Sequence, residues 1–325
     1  MKKTIIASAV AAAVAAPAAF ADVKIGGMVN PEMVMGESTD ELRVQTDLVF
    51  SGSEDLGNGL KASFKYHLVN DTADSTTAAD AGTQVLSVTA GAAGADGIPT
   101  VTHTVNSSAE VNGDTTVGDS VADLTVTLSG DFGSIAVGRQ EGFAEGVGDA
   151  FYNIDAAHEL DLELGDSVYT RKNGSIKYVS PSFNGLKVGV NSVELAGDTD
   201  SQTELMAQYS NNGLGVTLIS SDNDNSANDY QIVNVSYKMG DLELRASARE
   251  YGNEDTTMIG AKYSMGANTI AIGSTNNDTA TNDETIVSAS HSLSKNTSVY
   301  VVFSDAETAA GADNDTTIVG LRQKF

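Results

Sequence analysis

The chain lacks both cysteine and tryptophan, and it is poor in basic residues. Without cysteine, no disulfide framework can support an exported fold, and zinc sites built on thiolates are excluded. Lys and Arg number 18 against 44 Asp and Glu, a formal net charge of −26. Such a chain is not expected to bind nucleic acid through a general electrostatic field. Beyond the N-terminal leader, no apolar run approaches the ~18 residues that a membrane-spanning helix requires.

The leader, residues 1–21, has the order of a secretory signal peptide. It begins with Lys2 and Lys3, continues with an apolar segment over 5–16, and ends on the small-x-small cleavage sequence Ala-Phe-Ala. We therefore expect it to be cleaved, which leaves residues 22–325 as one domain. Loss of the two lysines changes the net charge from −26 to −28.

Period-two alternation dominates the rest of the chain. Leu60, Phe64 and Leu68 fall on one face of an extended segment, whereas Lys61 and Lys65 fall on the other. Such alternation is typical of strands with two different faces. No stretch outside the leader shows a sustained helical period, so we predict an all-β fold.

The alternating segments predict about sixteen strands, the even number of an antiparallel membrane barrel. They lie at 23–36, 41–51, 59–70, 121–130, 133–140, 168–181, 185–195, 202–211, 213–221, 229–239, 240–250, 255–265, 267–276, 283–293, 296–305 and 314–325. Residues 71–120 are expected to be one long external loop or to hold an extra hairpin near 83–106.

The connections between these strands alternate in kind. Short turns rich in Gly and Asn, such as 130–133 and 211–213, supply the positive φ that hairpins need. Between them come mostly longer acidic loops, such as 221–229 and 305–314. Short turns at one end and long loops at the other are typical of an outer-membrane β-barrel. We therefore predict a sixteen-stranded antiparallel transmembrane barrel.

If the apolar face meets lipid, alternation assigns nearly every basic residue to the interior, where it avoids the ~2–4 kcal/mol that a Lys or Arg costs at the centre of the bilayer. These residues are Lys24, Arg43, Lys61, Lys65, Arg171, Lys177, Lys187, Lys238, Arg245, Arg249, Lys262, Arg322 and Lys324. Arg139 is the exception, since it shares the phase of Ile135 and Val137. A β-bulge at Gly138 would turn Arg139 inward, and we predict that bulge.

The stretch 138–166 is the longest acidic loop between two predicted strands, apart from the uncertain region 71–120. Its acids are Glu141, Glu145, Asp149, Asp155, Glu159, Asp161 and Glu163. A loop of this length in a regular fold is usually functional or disordered. We expect it to fold into the bore of the barrel and narrow it; the alternative is a solvated acidic surface loop.

Three stretches resemble the Gram-negative general porins, which are trimeric sixteen-stranded diffusion channels of the bacterial outer membrane. They are 132–140 (FGSIAVGRQ), 173–185 (NGSIKYVSPSFNG) and the closing sequence 319–325 (VGLRQKF). The resemblance implies a homotrimer in contact with outer-membrane lipids and lipopolysaccharide. It also implies that the terminal Phe325 is an assembly signal and that the third external loop forms the constriction.

By position, the resemblance places Arg43, Arg139 and Arg171 on a basic wall of the pore, with Lys61 and Lys65 as neighbours. Opposite them it places Glu163, which matches the glutamate at the tip of the family's loop. Glu159 or Asp161 would be the second acid. The chain has Leu162 where the family has a proline, so the geometry of the loop tip stays open.

No catalytic motif or cofactor-binding motif stands out, so we expect a channel rather than an enzyme, with no cofactor. Cations facing acids across a constriction would orient polar solutes and let ions and small hydrophilic molecules pass. The acidic loops favour cations over anions, and Ca²⁺ or Mg²⁺ binding to them is a weaker expectation. The rival functions are a substrate-specific outer-membrane channel and, in a different class, a secreted acidic β-rich adhesin.

Overall fold

The computed structural model describes residues 23–36, 40–73, 85–93, 99–106, 120–147, 172–193, 201–224, 228–252, 254–277, 283–306 and 315–325. Nearly all of these residues lie in β-strands. Within the same ranges, no helix has the length and apolar character needed to cross a membrane.

The described residues form eighteen strands. In chain order they are β1 Lys24–Gly36, β2 Asp40–Gly57, β3 Leu60–Ala73, β4 Val85–Ala93, β5 Pro99–Asn106, β6 Ser120–Gly130, β7 Gly133–Gln140, β8 Lys172–Val179, β9 Leu186–Val193, β10 Gln202–Asn211, β11 Leu214–Asn223, β12 Tyr230–Met239, β13 Leu242–Tyr251, β14 Glu254–Met265, β15 Asn268–Asn277, β16 Glu284–Ser292, β17 Thr297–Ala306 and β18 Thr316–Lys324.

All strands except β4 and β5 close into one antiparallel barrel of sixteen strands. Each pairs with its neighbours along the chain, β3 pairs with β6, and β1 pairs with β18 to complete the ring. A closed barrel leaves no strand edge unpaired, which a lipid environment requires. The predicted sixteen-stranded barrel is therefore confirmed.

Strands β4 and β5 form a separate two-stranded sheet, with Val85 opposite Asn106 and Ala90 opposite Val101. The stretch 74–117 that contains them is a compact unit of its own. Of the two predictions for this region, the extra hairpin is the one that the structure confirms.

The short turns have the backbone geometry that their Gly and Asn content predicts. Asn58, Asn184 and Asn212 have φ of 53°, 50° and 49°. These values fall in the left-handed region, which Asn and Gly enter more readily than other residues. The turn chemistry thus fixes where each hairpin reverses. Strand β2 is longer than predicted, because its pairing with β3 continues to Gly57 opposite Leu60.

The barrel reverses the arrangement of a soluble protein, with apolar side chains outside and many polar ones inside. On β14, the side chain of Ile259 is 64% exposed and that of the adjacent Met258 only 1%. On the inner face, Glu32 and Glu204 are 1% and 2% exposed. Charged groups inside and aliphatic groups outside are the pattern of a barrel that spans a membrane around a polar bore.

Candidate functional site in the barrel interior

Interior acids hold several of the basic residues that alternation assigns to the inner face. Arg43 Nε lies 3.0 Å from Glu32 Oε2, and Lys65 Nζ lies 2.6 Å from Asp123 Oδ2. Pairing of this kind offsets part of the cost of removing both charges from water. The inner surface is therefore a set of paired and exposed charges rather than a uniformly basic wall.

Glu32 is the centre of a polar network where β1, β2 and β17 contribute side chains. The amide of Asn30 donates to Glu32 Oε1 at 2.8 Å, and the Tyr300 hydroxyl contacts the same oxygen. Tyr300 also donates to Asn30 Oδ1 at 2.7 Å, while Arg43 binds the other carboxylate oxygen. Because every side chain in it has a partner, the network satisfies the carboxyl oxygens of Glu32 at 1% exposure.

Tyr300 reaches this network by lying across Gly320 on β18. A Cβ built on Gly320 would stand 2.2 Å from Tyr300 Cζ, so only glycine leaves room for the ring. The guanidinium of Arg322 lies over the same ring, 5.4 Å from its centroid. The interaction links three strands at the closure of the barrel.

A second cluster of polar side chains is formed by residues of β2, β3 and β6. His67 Nδ1 is 3.5 Å from Asp123 Oδ2, and His67 Nε2 is 3.8 Å from Asp47 Oδ2. Asp123 is therefore shared between His67 and Lys65. The arrangement concentrates two acids and two basic groups at mid-height on one side of the bore.

The first residues of the long acidic loop, 141–147, pack against the inner wall. Phe143, Ala144 and Val147 are 9%, 0% and 3% exposed and share a buried cluster with Ile219 and Ile232. The Phe143 ring also lies against β9, where a Cβ on Gly189 would stand 2.5 Å from Phe143 Cζ. The loop thus starts inside the barrel, whereas the prediction that it narrows the bore concerns loop residues beyond 147, which lie outside the described residues.

Glu204 on β10 anchors this loop start. Its carboxylate accepts the backbone N–H of Phe143 at 3.1 Å and that of Ala144 at 3.3 Å. Asn191 donates to Glu204 at 2.7 Å and the Tyr230 hydroxyl at 2.6 Å. A buried carboxylate with four donors is a strong acceptor, so it fixes the loop to the wall at a defined point.

Lys177 on β8 contributes a second contact to the loop start. Its ammonium donates to the backbone carbonyl of Glu141 and lies 5.2 Å from the centroid of the Phe143 ring. A cation over an aromatic face contributes about 0.5–1 kcal/mol at exposed sites and more when desolvated. Lys177 and Glu204 therefore hold the loop from neighbouring parts of the same wall.

The predicted basic residues on β2 and β3 lie at different heights. Lys65 pairs with Ser51, which follows Arg43 by eight positions along β2, about 26 Å at ~3.3 Å per residue. Lys61 lies still closer to the turn, opposite Asp55. The structure therefore does not bring Arg43 together with Lys61 or Lys65, and their role in one constriction stays a prediction.

The bulge beside Arg139 occurs where it was predicted. The β7–β8 register shifts between Gly138 and Gln140, and Gly138 has a φ of 136°. Arg139 Nε donates to the Val121 carbonyl at 2.6 Å, yet the β6 register places Arg139 opposite Leu124, which is 55% exposed. The bulge is confirmed, whereas the inward orientation of Arg139 stays a prediction.

Of the remaining predicted site residues, Phe325 is described and four lie outside the described residues, namely Arg171, Glu159, Asp161 and Glu163. Phe325 lies at the end of β18, where its N–H donates to the Gly27 carbonyl at 3.1 Å. Its role as an assembly signal stays a prediction, as does Ca²⁺ or Mg²⁺ binding by the external loops.

Sequence reasoning missed the interior acids Glu32, Asp123 and Glu204. Each occupies the inner phase of its strand, the same phase that was used to assign the basic residues. The signal was therefore present in the alternation. What the sequence could not show was their partners on strands distant in the chain, such as Tyr300 for Glu32 and Lys65 for Asp123.

Comparisons with known proteins agree with this architecture. A family model described as Gram-negative porin matches residues 7–311. No curated protein sequence matches the chain. Among solved structures, an anion-selective porin from Comamonas acidovorans is 18% identical with a TM-score of 0.65, and the alignment covers 94% of this chain and 100% of that one.

Two further solved structures share the fold. The OmpF of Salmonella typhi, in complex with daunomycin, is 15% identical with a TM-score of 0.70, covering 93% of this chain and 97% of that one. A mutant of the Rh. blastica porin is 14% identical with a TM-score of 0.66, covering 93% and 100%. At such identities the likeness concerns the fold alone.

Proposed function

Since the chain belongs to the Gram-negative porin family and is an outer-membrane diffusion channel, we propose that it passes ions and small hydrophilic solutes without a specific binding step. The selective element would be a charged constriction. Acids of the long loop, with Glu163 and either Glu159 or Asp161 at its tip, would face Arg43, Arg139 and Arg171. Such a transverse field orients polar solutes and disfavours apolar ones.

One observation supports this proposal above the others: the start of the third long loop lies on the inner wall. The contacts of Phe143 and Ala144 with Glu204 direct the chain into the bore rather than away from it. A loop that begins inside a barrel narrows the passage, and the bore then selects by size and charge. A homotrimer is part of the proposal, and cross-linking of the purified protein tests it.

We also propose a weak to moderate preference for cations. The basis for this preference is the excess of acidic residues, since 44 Asp and Glu stand against 18 Lys and Arg. Much of this excess lies in the long loops. Acids near an entrance raise the local concentration of cations. The anion-selective porin from Comamonas acidovorans has the same fold, so the sign of selectivity depends on side chains and has to be measured.

Two measurements test the proposal. In a planar bilayer with a salt gradient, the reversal potential should have the sign of a cation preference; an anion preference would refute it. In a liposome-swelling assay, uptake of neutral sugars should fall smoothly with solute size. Conductance that saturates with one solute only would instead indicate a substrate-specific channel.

A further inference from the structure

The charges on the inner wall are separated along the axis of the pore. We call the half of each strand next to the short turns the turn half, and the half next to the long loops the loop half. The inner-face cations of the turn half are Lys24, Lys61, Lys65, Lys177, Lys187, Lys238, Arg245, Lys262, Arg322 and Lys324. The described acids on that surface are Asp55 and Glu243.

The loop half has the opposite sign. Its inner-face acids are Glu32, Glu41, Asp47, Asp123, Glu204, Glu254 and Glu284. Among described residues, the basic groups that alternation assigns to this surface are His67, Arg43 and Arg249, and Arg43 is paired with Glu32. The loop start adds Glu141 and Glu145. The wall therefore changes sign between its two ends.

Ion pairs compensate part of the charge in both halves, since Arg43 binds Glu32 and Lys65 binds Asp123 in the loop half. At the turn end, Glu243 is bound by both Arg245 and Lys262, so that acid is already compensated. Lys24, Lys187 and Lys238 are exposed and have no ion pair within the described part of the chain. These lysines leave a surplus of positive charge in contact with the solution.

The two zones are far enough apart to act separately. Lys24 and Glu32 lie on the inner face of the same strand, eight positions apart, about 26 Å at ~3.3 Å per residue. The Debye length is ~10 Å at 0.1 M salt and ~3 Å at 1 M. At low salt each zone therefore attracts its own counterion, with little cancellation by the other.

We propose that this axial change of sign makes the open pore rectify current. When the loop side is positive, cations enter past the acids and anions enter past the lysines, so both ions accumulate in the bore. When the loop side is negative, each ion must enter through the zone that repels it, and the bore is depleted. The pore should pass more current with the loop side positive. This inference rests on the proposed channel function.

The experiment needs channels of known orientation. Because the chain contains no cysteine, Lys295→Cys in the exposed turn between β16 and β17 provides a unique label. A maleimide on a polymer too bulky to cross the pore, added to one chamber, shows which side the turns face. The same change removes a charge outside the barrel wall, so the K295C channel is also a matched control for charge loss.

Currents are recorded at equal and opposite voltages. At ~0.1 M salt the K295C channel should carry about 1.5-fold more current with the loop side positive, and the ratio should fall towards one at ~1 M, where the Debye length is shorter. Adding Lys24→Gln, Lys187→Gln and Lys238→Gln should lower the low-salt ratio towards one, because it removes three of the exposed cations of the turn half.

Two outcomes would overturn the inference. Equal currents from K295C at low salt would show that the separation has no electrical effect, and an unchanged ratio in the triple variant would show that these lysines do not cause it. Failure of the proposed function has a different signature, namely no conductance and no uptake of neutral sugars at any salt concentration.

Discussion

The two ends of the barrel are held in different ways. At the turn end, residues close in the chain determine the structure: Asn212 with a φ of 49° reverses the chain, and the Gly57 N–H donates to Asp55 Oδ1 at 2.8 Å. At the loop end, side chains bind groups distant in sequence, as Glu204 binds Phe143 across 61 positions. Local chemistry therefore fixes the ends of the scaffold, whereas long-range polar contacts shape the passage through it.

The largest effect is expected from removing the anchor of the loop end. Glu204→Ala leaves the N–H groups of Phe143 and Ala144 without their acceptor, and an unsatisfied buried donor costs about 1–3 kcal/mol. The loop start should detach from the wall, so that single-channel conductance rises and becomes noisier. Recordings in a planar bilayer measure both quantities.

The matched control for this variant lies at the turn end. Glu243→Ala removes an equal charge from a carboxylate that binds Arg245 and Lys262 but no loop residue among those described. Its channels should keep a steady conductance. If Glu204→Ala channels are as steady as these, then Glu204 does not fasten the loop.

A smaller effect is expected where the barrel closes. In Gly320→Ala the new methyl group would stand 2.2 Å from Tyr300 Cζ, so the ring must move and lose its contact with Glu32. Overpacking of this kind typically costs about 1–3 kcal/mol. The folded form, followed by its mobility on detergent gels, should be lost at a lower temperature than in the parent protein.

Gly146→Ala serves as the comparison for that substitution, because nothing lies within 4 Å of the added Cβ. It adds the same methyl group without a clash. Equal thermal resistance of the Gly320→Ala and Gly146→Ala proteins would contradict the role assigned to the close approach of Tyr300.

At the turn end, a single substitution should lower the thermal stability less. Asn212→Ala places a residue with a Cβ but no local hydrogen-bonding group at a φ of 49°, which costs roughly 1 kcal/mol. Asn212→Gly adopts this φ without strain and should be close to neutral. The loss of thermal resistance in the alanine variant, relative to the glycine variant, measures how much the turn itself contributes to the stability of the barrel. No difference would mean that the barrel imposes the turn.

The same contrast explains what the sequence could predict. Period-two alternation reveals strands because neighbouring side chains face opposite sides, and the out-of-phase position of Arg139 indicated the bulge at Gly138, whose φ is 136°. The contact of Tyr300 with Glu32 spans 268 positions and exists only once β18 pairs with β1. No local pattern encodes such a contact.

The prediction for the constriction shows the same limit. Its basic members were taken from the family resemblance by position, and alternation supported Arg43, Lys61 and Lys65 only by phase, which gives the face of a strand but not the height. Arg43 and Lys65 share a face but lie about 26 Å apart along the strand direction, at ~3.3 Å per residue. Height depends on the register between strands, and the register follows from turns and bulges such as the one between His67 and Leu68. Predicting a site in a barrel thus requires the register as well as the alternation.

The smallest effect concerns pH at the loop end. The Asp224 carboxylate accepts hydrogen bonds from the hydroxyl and from the N–H of Ser201, the latter at 3.1 Å, and these bonds lower the pKa of Asp224 below its usual 3.8. A lowered folded-state pKa means that the contact is fully present above about pH 4 and is lost as the pH falls through the folded value.

The amide signal of Ser201 should therefore shift between pH 4 and lower values, whereas that of Lys238, whose partner is the Gly213 carbonyl, should stay constant. Nuclear magnetic resonance of the protein in detergent micelles follows both amides in one titration. In Asp224→Asn the Ser201 shift should disappear, because the amide side chain does not titrate. Parallel shifts of both amides would instead indicate a global change, and the loop end would then be no more sensitive to acid than the turn end.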